Sequence, residues 1–259
     1  MIESAWTMGT GDDPVVATAI HSGHGLRPHV AQLMELPEDD RLREEDPYTD
    51  RWVGVAENRI VVNRSRFEID LNRPKERAVY RVPDDSWGLD VWSSTPTDDL
   101  VAESLRIYDR FYDELGQLCD EVVQAHGHVV VLDLHSYNHR RRGPSAPNDD
   151  PALNPEINLG TESVDGSWAT VVDTFANTMS WSPVDGKLLD VRSNVRFKGG
   201  HMPRWINNRY KESGCAIAVE VKKIFMDEWT GRLDEAIANA VGDALEAATR
   251  TLRVVLAER

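Results

Sequence analysis

The run Val129-Val130-Val131-Leu132-Asp133-Leu134 constrains the fold more than any other stretch of this chain. It is apolar and rich in β-branched residues, with no polar–apolar alternation. Such a strand has to be covered on both faces, which is the situation of a central strand in a parallel sheet. Residues 216–221, Ala-Ile-Ala-Val-Glu-Val, read the same way, as does the shorter run 14–20. Further strands are expected over 59–63 and 67–71. Helical patterns lie between them. From about 96 to 125, Leu100, Leu105, Tyr108, Tyr112, Leu115, Leu118 and Val122 line one face. Thr95 is the expected cap of that helix, with Pro96 at its first position and Asp98 at the positive end of its dipole. A second helix is expected from a Ser167 cap to about 179. A third should run from about 230 to 256, apolar at Leu233, Ile237, Val241, Leu245, Ala248, Leu252 and Val255. Residues 37–50 read as short helix and loop, and 142–161, with four prolines, as a long surface loop. Strands alternating with helices predict an α/β fold, a mostly parallel sheet with helices on both faces, in one domain over residues 1–259.

Charge narrows the function. The chain has 29 basic and 44 acidic residues, a net charge of −15. Nucleic-acid binding needs a basic face to neutralise phosphates, and the compact basic cluster here is only His139-Arg140-Arg141-Arg142. No nucleic-acid partner is expected. No apolar run approaches the roughly 18 residues that span a bilayer, so no membrane partner is expected either. The start, Met1-Ile2-Glu3-Ser4-Ala5-Trp6, lacks the basic-then-apolar pattern of a secretory signal. Two cysteines, Cys119 and Cys215, form no disulfide framework and read as buried thiols of a cytoplasmic protein.

The reactive side chains follow the apolar strands. His21 follows the first, His135 follows the 129–134 run, and Glu220 ends the 216–221 run. Ligands in open α/β sheets bind at the carboxyl ends of the strands, so these groups should meet at one edge. Imidazole and carboxylate are zinc ligands, and catalytic zinc uses three of them plus water. His24 lies three residues after His21 and is another candidate. Asp133 shares a strand face with His135, where it would either orient that histidine or accept backbone bonds. The segment Asn63-Arg64-Ser65-Arg66-Phe67-Glu68-Ile69-Asp70-Leu71-Asn72-Arg73-Pro74 carries three arginines, a fit for planar carboxylates or simply a solvated loop of weak ion pairs.

Seven blocks in order carry a resemblance. They are Ile20-His21-Ser22-Gly23, Glu45-Asp46-Pro47-Tyr48, the stretch from Ser65 to Pro74, Asp133-Leu134-His135-Ser136, Ile157-Asn158-Leu159-Gly160-Thr161, Phe197-Lys198-Gly199-Gly200 and Val219-Glu220-Val221. From about residue 14 to 228 the chain resembles the N-formylglutamate amidohydrolase family, with aspartoacylase and the zinc carboxypeptidases as further relatives. The resemblance implies a three-layer α/β/α zinc-exopeptidase fold and a zinc ion held by His21, Asp46 and His135, with His24 in place of Asp46 as the alternative. It implies Glu220 as the group that takes a proton from water and returns it to the leaving amine, and Arg66 beside the developing oxyanion. Asn72, Arg73 and Arg204 are implied as the grip on a substrate carboxylate. Gly199 and Gly200 would let a loop approach the substrate closely. The expected activity is hydrolysis of the C–N amide bond of a small N-acyl amino acid, N-formyl-L-glutamate first. The alternatives are a carboxypeptidase-like or other N-acyl amino-acid hydrolase, or a binding protein without catalysis. Tyr137-Asn138-His139-Arg140-Arg141-Arg142 and His201 depart from the family pattern. The long C-terminal helix suits a core or an interface equally.

Overall fold

A computed structural model describes residues 4–259, so the reading of the extreme N-terminus rests partly on Met1–Glu3, outside the described residues. In chain order the strands are β1 (Trp6–Gly9), β2 (Val15–Ala19), β3 (Asn58–Val62), β4 (Val129–Tyr137), β5 (Ile157–Gly160), β6 (Pro183–Val184), β7 (Lys187–Leu188), β8 (Val191–Ser193) and β9 (Gly214–Lys222). The helices are α1 (Pro28–Ala31), α2 (Glu38–Glu44), α3 (Asp98–His126), α4 (Ala169–Ser180), α5 (His201–Arg209) and α6 (Glu235–Ala257). Seven strands form one sheet in the order β1-β3-β2-β4-β9-β5-β8, and β6 and β7 make a separate hairpin. The central strands β3, β2, β4 and β9 are mutually parallel. Strand β1 joins β3 antiparallel, and β5 joins β9 antiparallel. The expected α/β fold with a mostly parallel sheet is the one observed.

The pleat divides the molecule into two cores. Val15, Ala17, Val130, Leu132, Leu134, Ile217 and Val219 face one way and pack against Phe175 of α4 and Leu245 and Leu252 of α6. Val16, Val129, Val131 and Ala216 face the other way and pack against Leu115 and Cys119 of α3 and Ile206 of α5. Each of these strand side chains is fully buried, and each removes apolar surface from water for a gain of about 1.5–3 kcal/mol per large aliphatic group. On the α3–α5 face the strands turn polar as they advance. Thr18, Asp133, His135 and Glu220 alternate with apolar residues that continue the opposite face. Strand register then sets Thr18 beside Asp133 and His135 beside Glu220. The chemistry therefore collects at the carboxyl ends of the parallel strands and on one side of the sheet.

Several boundaries differ from expectation. Helix α3 is capped by Thr97, whose Oγ1 accepts from Leu100 N, and not by Thr95, so Pro96 lies outside the helix. Helix α4 follows a 3₁₀ turn, Gly166–Trp168, that Asp165 caps; Ser167 sits inside that turn. Helix α6 begins at Glu235, because Asp234 accepts from the amides of Ala236 and Ile237. Residues 67–71 are not a strand: Ser65 O accepts from the amides of Glu68 and Ile69, which winds the segment into turns. The proline-rich stretch 142–161 holds β5 at its end, and β1 precedes the first expected strand.

Candidate metal centre

His21, Asp46 and His135 converge, with a donor atom from each lying within 4.8 Å of the others. His21 stands just past β2, His135 lies within β4, and Asp46 sits on the turn after α2. That turn is fixed by its backbone, since Asp46 N donates to His21 O. All three side chains are buried. Asp46 Oδ2 lies 2.8 Å from His135 Nδ1 and 3.5 Å from His21 Nδ1. The far nitrogens are held by other carboxylates: His21 Nε2 is 2.8 Å from Asp70 Oδ1, and His135 Nε2 is 2.8 Å from Asp133 Oδ2. Both rings are thus oriented with Nδ1 toward the shared centre, the carboxylate–histidine arrangement that fixes metal-bound imidazoles.

The residues fit a metal ion on their own chemistry. His21 Nδ1 is buried and has no hydrogen-bond partner, although it points at a carboxylate. Two imidazoles and one carboxylate are a three-ligand set suited to catalytic zinc. His24, the alternative ligand, is excluded from the cluster by its contacts. Its Nδ1 lies 2.5 Å from Glu45 Oε2 and its Nε2 takes a hydrogen bond from Arg41 Nη2 at 2.8 Å. Glu45 raises the His24 pKa against the opposing effect of burial.

The supporting shell is dense. Asp70 is fully buried and satisfied on both oxygens: Oδ1 accepts from the Asn72 amide, and Oδ2 from Arg66 Nη2 and from the Tyr80 hydroxyl. Burial pushes the Asp70 pKa up, but Arg66 and His21 overcome it and hold the carboxyl well below the usual range. Asp46 behaves alike: burial opposes ionisation, and the His135 and His21 imidazoles prevail. Glu220 is different. Burial dominates, and with the nearby Asp46 and Asp133 carboxylates it pushes this group up to about 7. A carboxyl poised there can both accept and release a proton near neutral pH.

His21, Asp46 and His135 line a cavity of about 620 Å³. Arg66, Asn72, Arg204 and Glu220 line it too. Arg73 is set back: it is not among the lining residues, and its guanidinium stacks 4.5 Å from the Tyr80 ring with Nε 3.5 Å from Asp70. The carboxylates Glu44, Asp46 and Glu220 share the wall with the cations Arg66, Arg141, Arg196, Lys198, Arg204 and Lys223, so this cavity is cationic in a strongly acidic chain. The loop with Gly199 and Gly200 closes one side. Gly199 has φ +107°, and a Cβ at Gly200 would collide with the Asn72 amide, so neither position admits a side chain without strain. Trp87, half-exposed and stacked 5.0 Å from the Arg66 guanidinium, also lines the cavity, as does Arg196. Sequence reading did not single out Trp87, Tyr80 or Arg196, because they sit on irregular segments with no periodicity to flag them. The one available signal was the arginine content around the paired glycines.

Residues 13–226 match the family model described as FGase, N-formylglutamate amidohydrolase. The chain belongs to the N-formylglutamate amidohydrolase family. Among solved structures, an N-formylglutamate amidohydrolase from Ralstonia eutropha JMP134 superposes with a TM-score of 0.77 at 18% identity, over 98% of this chain and 99% of that one. A gene product of Agrobacterium tumefaciens gives a TM-score of 0.64 at 16% identity, over 97% and 96% of the two chains. A metallo-carboxypeptidase from Burkholderia cenocepacia overlaps more loosely, with a TM-score of 0.38 at 14% identity, over 93% of this chain and 56% of that one. No curated protein sequence matches the chain. At these identities the structural likeness speaks to the fold, and the family model to the family of amidohydrolases. Among the described residues no helix is long and apolar enough to cross a membrane.

Proposed function

We propose that this chain, as one domain over residues 1–259, is a zinc-dependent amidohydrolase that removes an N-acyl group, N-formyl foremost, from an acidic amino acid such as N-formyl-L-glutamate. The observation that carries the reading is the meeting of His21, Asp46 and His135 beside a buried Glu220 in one cationic cavity. His21, Asp46 and His135 would hold the metal, which when bound supplies a Lewis acid that polarises the amide carbonyl and acidifies water. Glu220 accepts a proton from the attacking water and delivers it to the amide nitrogen as the C–N bond breaks, leaving the free amino acid and formate. Its poise near neutrality suits both transfers. Arg66, held by Asp70, directs a fixed positive charge at the oxygen that gains charge in the transition state. Asn72 and Arg204 take the α-carboxylate, and Arg73 acts one layer back by holding Asp70. The two buried, unpaired thiols fit a cytoplasmic setting.

The test is elemental analysis of the purified chain together with hydrolysis of N-formyl-L-glutamate with and without a chelator. The expected result is near one zinc per chain and chelator-sensitive release of glutamate. Zinc without turnover on N-formyl or other N-acyl amino acids would sink the substrate assignment. Neither metal nor turnover, even after zinc is restored, would sink the enzyme reading.

A further inference from the structure

The cationic cavity contains more positive charge than one substrate carboxylate requires. Arg66 is paired with Asp70, Arg141 with Glu44, and Lys198 with Glu162. Lys223 spends its ammonium on the carbonyls of Arg43 and Glu45. Two lining guanidiniums remain without a carboxylate partner among the described residues. Arg204 is exposed and donates to Gly199 O. Arg196 is partly buried: Nη1 donates to Asn154 Oδ1 at 2.7 Å, while Nε is buried and unpartnered. Its guanidinium carbon lies 5.4 Å from the ring centres of both Tyr137 and Phe197.

The backbone that carries Arg196 is clamped. Asn158, fully buried on β5, accepts from three successive amides, those of Val195, Arg196 and Phe197, at 3.1, 2.8 and 3.3 Å. Its Nδ2 donates to Phe197 O at 2.8 Å. In the strand register Asn158 is directly opposite Glu220. The row β2, β4, β9, β5 therefore presents His21, His135, Glu220 and the Arg196 anchor in sequence, with Arg66 tied through Asp70 to His21 at its β2 end. Three strand spacings of about 4.8 Å separate the two ends, roughly 14 Å, enough for a small extended molecule with an anion at each end. A guanidinium held in place before the ligand arrives loses little entropy on binding and presents a rigid fork to a carboxylate.

Building on the amidohydrolase reading above, we infer that Arg196 is the residue that selects a second carboxylate on the substrate, and so makes the site specific for dianions. That carboxylate could belong to the amino-acid side chain or to a dicarboxylic acyl group; the chemistry at Arg196 is the same. Wild type, Arg196→Met and Arg196→Lys are compared on N-formyl-L-glutamate, N-succinyl-L-glutamine and N-formyl-L-glutamine. The first two are dianions with the second carboxylate at opposite ends, and the third is a monoanion. For Arg196→Met, kcat/KM should fall roughly 10- to 100-fold on the dianion the enzyme prefers, the range for a lost hydrogen bond to a charged group. The monoanion should be nearly unaffected, and Arg196→Lys should fall between. The dianion that suffers identifies the source of the carboxylate. An equal loss on all three substrates, or no loss on any, overturns the inference. Calorimetric binding of glutarate, with butyrate as control, separates this failure from that of the parent reading. If wild type turns over none of the three yet binds glutarate, and Arg196→Met does not, the selectivity role stands without the amidohydrolase. If glutarate binds neither protein, or both equally, it falls.

Discussion

Glu220 has lost its water beside the Asp46 and Asp133 carboxylates, and that surrounding makes it useful. Replacing it with Gln keeps the shape and removes the exchangeable proton. Glu220→Gln should lower kcat by about 10²–10⁴-fold while metal content and the thermal midpoint stay near wild type, the range for a lost general base. Loss of metal in that variant would show that Glu220 holds the site together instead. Asp70 makes the complementary case, since it touches His21 and not the reacting atoms. Asp70→Asn should weaken metal binding by about 10–100-fold, read by competition with a chromogenic chelator. Unchanged affinity would remove Asp70 from the metal's support. Of these residues His21, His135 and Glu220 were legible in sequence, because each terminates an apolar run. Asp46 was legible only through family resemblance, lying among Glu44, Glu45 and Asp50 with nothing local to distinguish it. Asp70 drew notice only as part of an arginine-rich segment. Its partnership with His21 spans 49 positions and depends on how the chain turns after β3.

At the scale of elements, strands were easier to read than the starts of helices. A strand buried on both faces writes its burial into consecutive residues, as β4 and β9 do. A helix start depends on which of several neighbouring hydroxyls or carboxylates reaches a free amide. Thr95 and Thr97 are two residues apart and both precede acidic residues, so composition could not choose between them. The same holds near α6, where Asp234 does the capping and the helix starts later than the expected position near 230. Asp234→Ala should destabilise the fold by about 1 kcal/mol, seen as a lower urea midpoint with an unchanged slope. A change below a few tenths would mean that solvent replaces the cap. Residues 67–71 looked like a strand because Phe67, Ile69 and Leu71 alternate with polar residues. They lie in turns, and Glu68 and Asp70 between them are just as buried, so the alternation does not separate an inner face from an outer one.

Across the whole molecule, one buried carboxylate ties the first central strand to the last helix. Asp13 accepts from Arg253 Nε and Nη2 and from the amides of Val15 and Glu57. Burial opposes its charge, but Arg253 and those amides hold the carboxyl below its ordinary pKa. A group depressed in this way stabilises the fold above the usual carboxylate range, and that contribution disappears as pH falls through its folded value. Asp13→Asn should therefore cost on the order of 2 kcal/mol at neutral pH, allowing for the partial exposure of Arg253, and the gap to wild type should narrow in acid. Urea midpoints taken from pH 7 down to pH 3 would check this, and a gap that widened in acid would refute it. The two thiols give an independent measure of integrity. Burial pushes Cys119 and Cys215 up to about 12, so neither should react with a disulfide reagent until the chain unfolds. Rapid labelling of the native protein would contradict that. The overall architecture was readable because alternating apolar strands and amphipathic helices admit few arrangements. The antiparallel additions β1 and β5 escaped notice because they are only four residues long.

The pleat has a consequence for how such a molecule can change. In β4 the odd-numbered residues serve chemistry at the strand's end, and the even-numbered ones serve cohesion with α4 and α6. Deleting one residue ahead of Asp133 would exchange the two sets, sending a histidine and a carboxylate into oil and exposing leucines to the cavity. Substitutions that respect this parity face no such conflict. New substrate preferences can accumulate at the strand's end while the apolar packing on both faces of the sheet stays in place.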